Sequence, residues 1–116
     1  MRRRWVAFDR ERMNDEFRAM PSYDRGTLFD AMAAYRKRSE IVWMVDRYAG
    51  GLMRIRSRSK TSSGRCLFFA TTKLRAGEET LVAVTAYKKE ATAVPRHVLR
   101  RAMSRMEEWK RRNGIT

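Results

Sequence analysis

Between Gly50 and Lys89 the chain carries three apolar runs of β-forming residues, and the first of them alternates with arginine. In Leu52–Arg58, period-two spacing sends Met53 and Ile55 to one side and Arg54, Arg56 and Arg58 to the other. Such a strand can bury only one face; the other must present a basic row. The next run, Arg65–Thr72, holds Leu67, Phe68 and Phe69 in succession, the pattern of a central strand covered on both faces. In Thr80–Lys88 the alternation sets Val82, Val84 and Ala86 against Leu81, Ala83, Thr85 and Tyr87. The polar loop Ser57–Ser63, which holds Lys60, and the turn Lys73–Glu79, which holds Gly77, are short, so the three runs are expected to be antiparallel neighbours.

The flanks read as helical support. Trp5–Phe8 is a short apolar run expected as a first strand, and Asp9 is a cap for a helix over Arg10–Met20 with Met13, Phe17 and Met20 on one stripe. Pro21 ends that helix, and Ser22 or Asp24 caps a second one striped by Leu28, Met32 and Tyr35. The basic run Arg36, Lys37 and Arg38 suits the negative end of its dipole. Ile41–Val45 reads as an extra edge strand or a packed connection. Pro95 is expected as the first residue of a last helix whose stripe runs through Val98, Leu99, Ala102, Met103, Met106 and Trp109, with Asn113-Gly114 as its stop. The order is β-α-α-β-β-β-α: one α+β domain over residues 1–116, a two-layer sandwich whose antiparallel sheet has its helices on one face.

Charge is unevenly placed. Residues 1–46 hold ten basic and eight acidic residues, whereas residues 47–116 hold 17 basic and five acidic ones, and no acid occurs from Arg47 to Gly77. A basic half joined to a nearly neutral half predicts a face for a polyanion, and the excess of Arg over Lys favours bidentate phosphate contacts. The single cysteine, Cys66, cannot pair within the chain; it reads as an inert core thiol and fits a reducing cytoplasm. No run approaches a membrane span, and the basic start MRRR lacks an apolar signal core, so a cytoplasmic location is expected. No spacing of His, Cys, Asp or Glu suggests a metal or another cofactor.

Taken together, WVAF followed by two helices, GGLMRIRSR, GRCLFFAT, LVAVTAYKK and the Pro-started PRHVLRRAMSRM resemble the RelE/ParE superfamily of toxins, nearest its phage-derived HigB-like branch. The resemblance covers nearly the whole chain in element order. It implies a RelE-like fold and a toxin held inactive by a cognate antitoxin; a fully capped two-layer domain can, for its part, stand as a monomer when free. Many such toxins act on the ribosome and cleave mRNA without metal, leaving 2′,3′-cyclic phosphate and 5′-OH ends. The ParE branch instead inhibits gyrase and depends on a basic C-terminal region, and this chain ends in Lys110-Arg111-Arg112. A third reading is a non-catalytic RNA- or DNA-binding module on the same fold.

Cleavage of RNA without metal needs a base for the 2′-OH, positive charge at the phosphorane and an acid for the leaving 5′-oxygen. Arg54, Arg56 and Arg58 are expected to form a phosphate-gripping floor, with Lys73, Lys88 and Lys89 contacting the backbone. The resemblance points to Lys60 as a catalytic lysine; surrounding cations would lower its pKa. Arg65, Tyr87 and His97 complete the candidate catalytic set, His97 as a neutral base near a helix N-terminus. Each also has a plainer reading: Lys60 and Arg65 as a rim docked on rRNA, Tyr87 as a core-edge aromatic, His97 as an exposed helix residue.

Overall fold

A computed structural model describes residues 1–37 and 42–115 of the chain. It is an α+β domain with the order β1 (Arg2–Ala7), α1 (Arg10–Ala19), α2 (Ser22–Lys37), β2 (Val45–Arg47), β3 (Met53–Arg56), β4 (Gly64–Thr71), β5 (Glu78–Lys88) and α3 (Arg96–Arg112). Two single 3-10 turns, Val42–Met44 and Ala49–Gly51, flank β2. Arg38 and Ile41, included in the helix end and the apolar run above, lie outside the described residues.

The strands form one sheet in the order β1-β5-β4-β3-β2. β2 to β5 are antiparallel neighbours, as the short connections predict, but β1 lies parallel to β5, with Trp5 opposite Leu81. The sheet is therefore mixed rather than wholly antiparallel. The cause is the α1–α2 hairpin, which carries the chain over the sheet and lets β1 take the open edge of β5.

The helices also differ from the expectation of one covered face. α1 and α2 pack Met13, Phe17, Leu28 and Tyr35 onto Ile55, Cys66, Phe68 and Leu81. α3 lies on the other side, with Val98, Ala102, Met106 and Trp109 over Leu67, Phe69, Val82 and Val84. A β4 that is apolar on both faces requires a second cover, and the stripe of α3 supplies it. Each fully buried aliphatic or aromatic side chain contributes about 1.5–3 kcal/mol, so neither face could be left bare.

Local signals hold in part. The Asp9 carboxylate accepts from Arg12 N–H at 3.0 Å and caps α1. Asp24 is a different case: it lies in the first turn of α2, but its carboxylate accepts from Ser63 N–H at 2.8 Å rather than capping its own helix. Pro95 stands one place before α3, its carbonyl accepting from Val98 and Leu99 N–H at 3.1 and 3.0 Å. At the start of β4 a side chain would not fit, since a Cβ on Gly64 would meet the Asp24 carbonyl oxygen at 2.6 Å. α2 and the loop entering β4 are thus in direct contact.

Candidate nucleic-acid interface

β3 sends Met53 and Ile55 into the α1–α2 core and Arg54 and Arg56 to the α3 side of the sheet, as its alternation predicts. α3 covers only part of that side. On the uncovered part, register sets Arg56 opposite Arg65, and Arg65 opposite Tyr87, so three neighbouring strands contribute to one lateral row.

The sequence alternation places Tyr87 on the same face as Leu81 and Ala83; the structure reverses this. β5 holds one extra residue relative to β4, because Leu67 lies opposite Thr85 while Phe68 lies opposite Ala83. Val84 is the residue bulged out of register. Before the bulge Leu81 and Ala83 face α1 and α2; beyond it Ala86 takes that side and Tyr87 packs on the α3 side. Bulges of this kind re-aim side chains beside functional sites. Two backbone groups at the bulge find side-chain partners: Ala86 N–H donates to Glu16 at 2.9 Å, and Val84 C=O accepts from Arg105 at 2.8 Å. Glu16 and Arg105 are themselves an ion pair of 2.6 Å, joining α1 to α3 across the bulge.

Two of the arginines are buried, Arg54 at 9% exposure and Arg65 at 7%. Arg54 is well supplied with partners. Its guanidinium donates to Asp46 at 2.7 and 3.2 Å and to the Tyr87 hydroxyl at 3.3 Å, and it lies over the Tyr48 ring. Burial pulls its pKa down, but the bonds to Tyr87 and Asp46 outweigh that, and it sits above the ordinary arginine value. Arg65 is in the opposite condition. It donates only to the carbonyls of Ser62 and Gly64, at 3.2 and 2.8 Å, and its Nε has no partner. Burial, and then the charges of Arg54 and Arg56, hold its pKa below the ordinary value. Among the described residues no carboxylate pairs with it. A buried donor left empty costs about 1–3 kcal/mol, more when charged, so this guanidinium is a standing demand for an anion.

Arg56 is exposed and donates to the Trp43 carbonyl at 3.2 Å. Lys60 is exposed on the loop between β3 and β4. Hydroxyls hold that loop: Tyr23 bonds Ser59 and Thr61 at 2.7 and 2.9 Å, and Thr27 bonds Ser62 at 2.6 Å. The bonds from Ser59 and Thr61 lower the Tyr23 pKa. Lys88 lies opposite Gly64, and Lys89 N–H donates to the Ser63 carbonyl at 2.7 Å, so both stand at the same end of the sheet as Arg65.

Three predicted site residues fall elsewhere. Arg58 lies past the end of β3 and lines a cleft of about 400 Å³ with Thr27 and Asp30 of α2, so it does not extend the Arg54–Arg56 row. Lys73 lies past the far end of β4, whose last residue Thr71 is roughly 20 Å along the strand from Arg65. His97 is exposed in the first turn of α3 and makes no hydrogen bond or ion pair among the described residues. Of the basic C-terminal run, Lys110 lies over the Phe69 ring and Arg112 donates to the Phe8 carbonyl at 2.9 Å, so both are tied to the fold. Cys66 is fully buried, and that burial pushes its thiol far above the usual range, as an inert core residue should behave.

The sequence reading missed Asp46, Tyr48 and Trp43. Asp46 could have been found by pairing Val45–Arg47 with Met53–Ile55, which sets it directly opposite Arg54. No group of three or more His, Cys, Asp or Glu among the described residues is placed to hold a metal, and no helix among them is long and apolar enough to cross a membrane. No protein-family model matches this chain, and no curated protein matches it significantly.

Proposed function

We propose that this chain is the toxin of a toxin–antitoxin pair with a RelE-like fold of the HigB-like branch, cutting translated mRNA on the ribosome without a metal. The observation that carries the reading is Arg65, a buried guanidinium beside Arg54 and Arg56 that pairs with no carboxylate among the described residues. A scissile phosphate supplies the missing negative charge, and a phosphorane supplies more of it, so the site favours the transition state over the ground state.

The neighbouring groups suit the remaining steps. Arg54 donates to the Tyr87 oxygen, which leaves the tyrosine's own proton free for the departing 5′-oxygen. Attack by the 2′-oxygen forms the new P–O bond while the P–O5′ bond breaks, giving a 2′,3′-cyclic phosphate and a 5′-OH end. The 2′-OH proton goes to a base, for which Lys60 on the adjoining loop is the candidate, since His97 lies apart from the arginine row. An acidic antitoxin segment is the natural counter-ligand of the same basic face.

Induction of the wild-type chain in a bacterial host, with primer extension on translated messages, tests the reading. New 5′ ends and growth arrest are expected. The double variant Lys60→Ala/Arg65→Ala should restore growth while keeping its far-ultraviolet circular dichroism. Arrest without new 5′ ends sinks the cleavage reading, and gyrase-linked DNA breaks would replace it with gyrase inhibition. Harmless expression of the wild type would leave a binding module.

A further inference from the structure

Trp43 is 54% exposed, the opposite of the chain's other two tryptophans. Trp5 is half-buried, with its indole N–H donating to the Met32 carbonyl at 2.8 Å, and Trp109 is buried against Phe69. Leaving a large aromatic in water forgoes the burial that stabilises the others, and Trp43 fills no gap in either core.

Its position is specific. β2 begins at Val45 opposite Ile55, so Trp43 falls beside the end of β3 from which Arg56 emerges. There the Arg56 guanidinium donates to its carbonyl at 3.2 Å, tying the tryptophan's backbone to the basic row. Across this end of the sheet the chain therefore presents Tyr87, Arg65, Arg56 and Trp43 on successive segments. With strands about 4.8 Å apart, Tyr87, Arg65 and Arg56 span roughly 10 Å, and the turn that holds Trp43 follows beside Arg56. The chemistry of the row runs aromatic, basic, basic, aromatic.

We propose that Trp43 is a stacking platform for an unpaired nucleobase, one or two nucleotides from the phosphate held by Arg56 and Arg65. Single-stranded nucleic acid is bound by a combination of positive groups that track the backbone and aromatic faces that take the bases. A duplex offers its phosphates but hides its base faces, so the ligand is single-stranded. A protein partner is the less favoured occupant, because the neighbouring guanidinium, bonded to the Trp43 backbone carbonyl, suits phosphate. The inference rests on the phosphate-binding reading of the arginine row but adds a base contact that this reading does not require.

The test uses the full chain with two probes, a single-stranded hexa-adenylate RNA and an abasic ribose-phosphate hexamer. The wild type is expected to bind the base-bearing strand on the order of tenfold more tightly, with quenching of tryptophan fluorescence. Trp43→Ala should remove most of that preference while leaving abasic affinity and salt dependence unchanged; Trp43→Phe should keep part of it. Both variants should melt within a few degrees of the wild type. Equal loss on both probes, or no loss on either, overturns the platform. A Trp43→Ala chain that binds both strands normally but no longer binds a partner protein assigns the ring to that partner and also overturns it. Arg65→Ala separates the two readings: unchanged abasic affinity in that variant defeats the phosphate site itself, whereas weakened abasic binding with an indifferent Trp43→Ala defeats only the platform. If neither strand binds the wild type, both fall.

Discussion

One side of the sheet is divided between two kinds of burial. Under α3, Leu67, Phe69, Val82 and Val84 are almost wholly sealed, and Trp109 meets Phe69 edge-on at 5.5 Å. Close by, Arg65 earlier on β4 and Arg54 on the neighbouring β3 are nearly as deeply enclosed. The first half lowers the free energy of the folded chain through apolar area. The second raises it, because taking a guanidinium out of water is costly and Arg65 recovers little of that cost. Similar depth with opposite sign separates the part of the sheet that holds the molecule together from the part that carries its buried charge.

That contrast can be broken most forcefully from the apolar half. Phe69→Ala should cost about 3–5 kcal/mol in urea denaturation, enough to consume much of a small domain's stability. The charged half should respond in the other direction. Arg65→Met, of similar length and without charge, should leave stability unchanged or raise it by up to about 2 kcal/mol, while abolishing RNA cleavage and weakening oligonucleotide binding. A stability loss as large as that of Phe69→Ala would mean that Arg65 is structural and the contrast false. The smallest effect belongs to Lys73, set past the far end of β4. Lys73→Ala should change RNA affinity by less than about twofold at fixed salt, and a larger drop would extend the interface along the whole strand.

Much of this division was legible in the chain. Clean alternation in Leu52–Arg58 predicted that Arg54 and Arg56 share a face away from Met53 and Ile55, and the doubly apolar β4 predicted burial on both sides. What escaped prediction depended on partners distant in sequence. β1 becomes a parallel neighbour of β5 through pairing across 76 positions, as between Arg2 and Glu78. Asp46 becomes the partner of Arg54 only because a three-residue strand forms, too short to carry a periodic signal. Arg58 falls outside the row because strand pairing ends two residues before it, so the alternation no longer sets its side.

Tyr87 shows the most consequential of these failures, and it turns on a count. Its side of the sheet is set by whether the number of residues between it and the core of β5 is odd or even, and Val84 changes that parity. Removing one residue at this point would leave the apolar run Leu81–Ala83 in place and still turn Tyr87 toward α1 and α2, away from Arg54. A one-residue deletion there would disarm the site while sparing most of the hydrophobic sequence, and one inserted residue elsewhere in the segment could restore it. Two forms of the site, with Tyr87 on one side of the sheet or the other, are then separated by a single codon's length rather than by any change in side-chain chemistry.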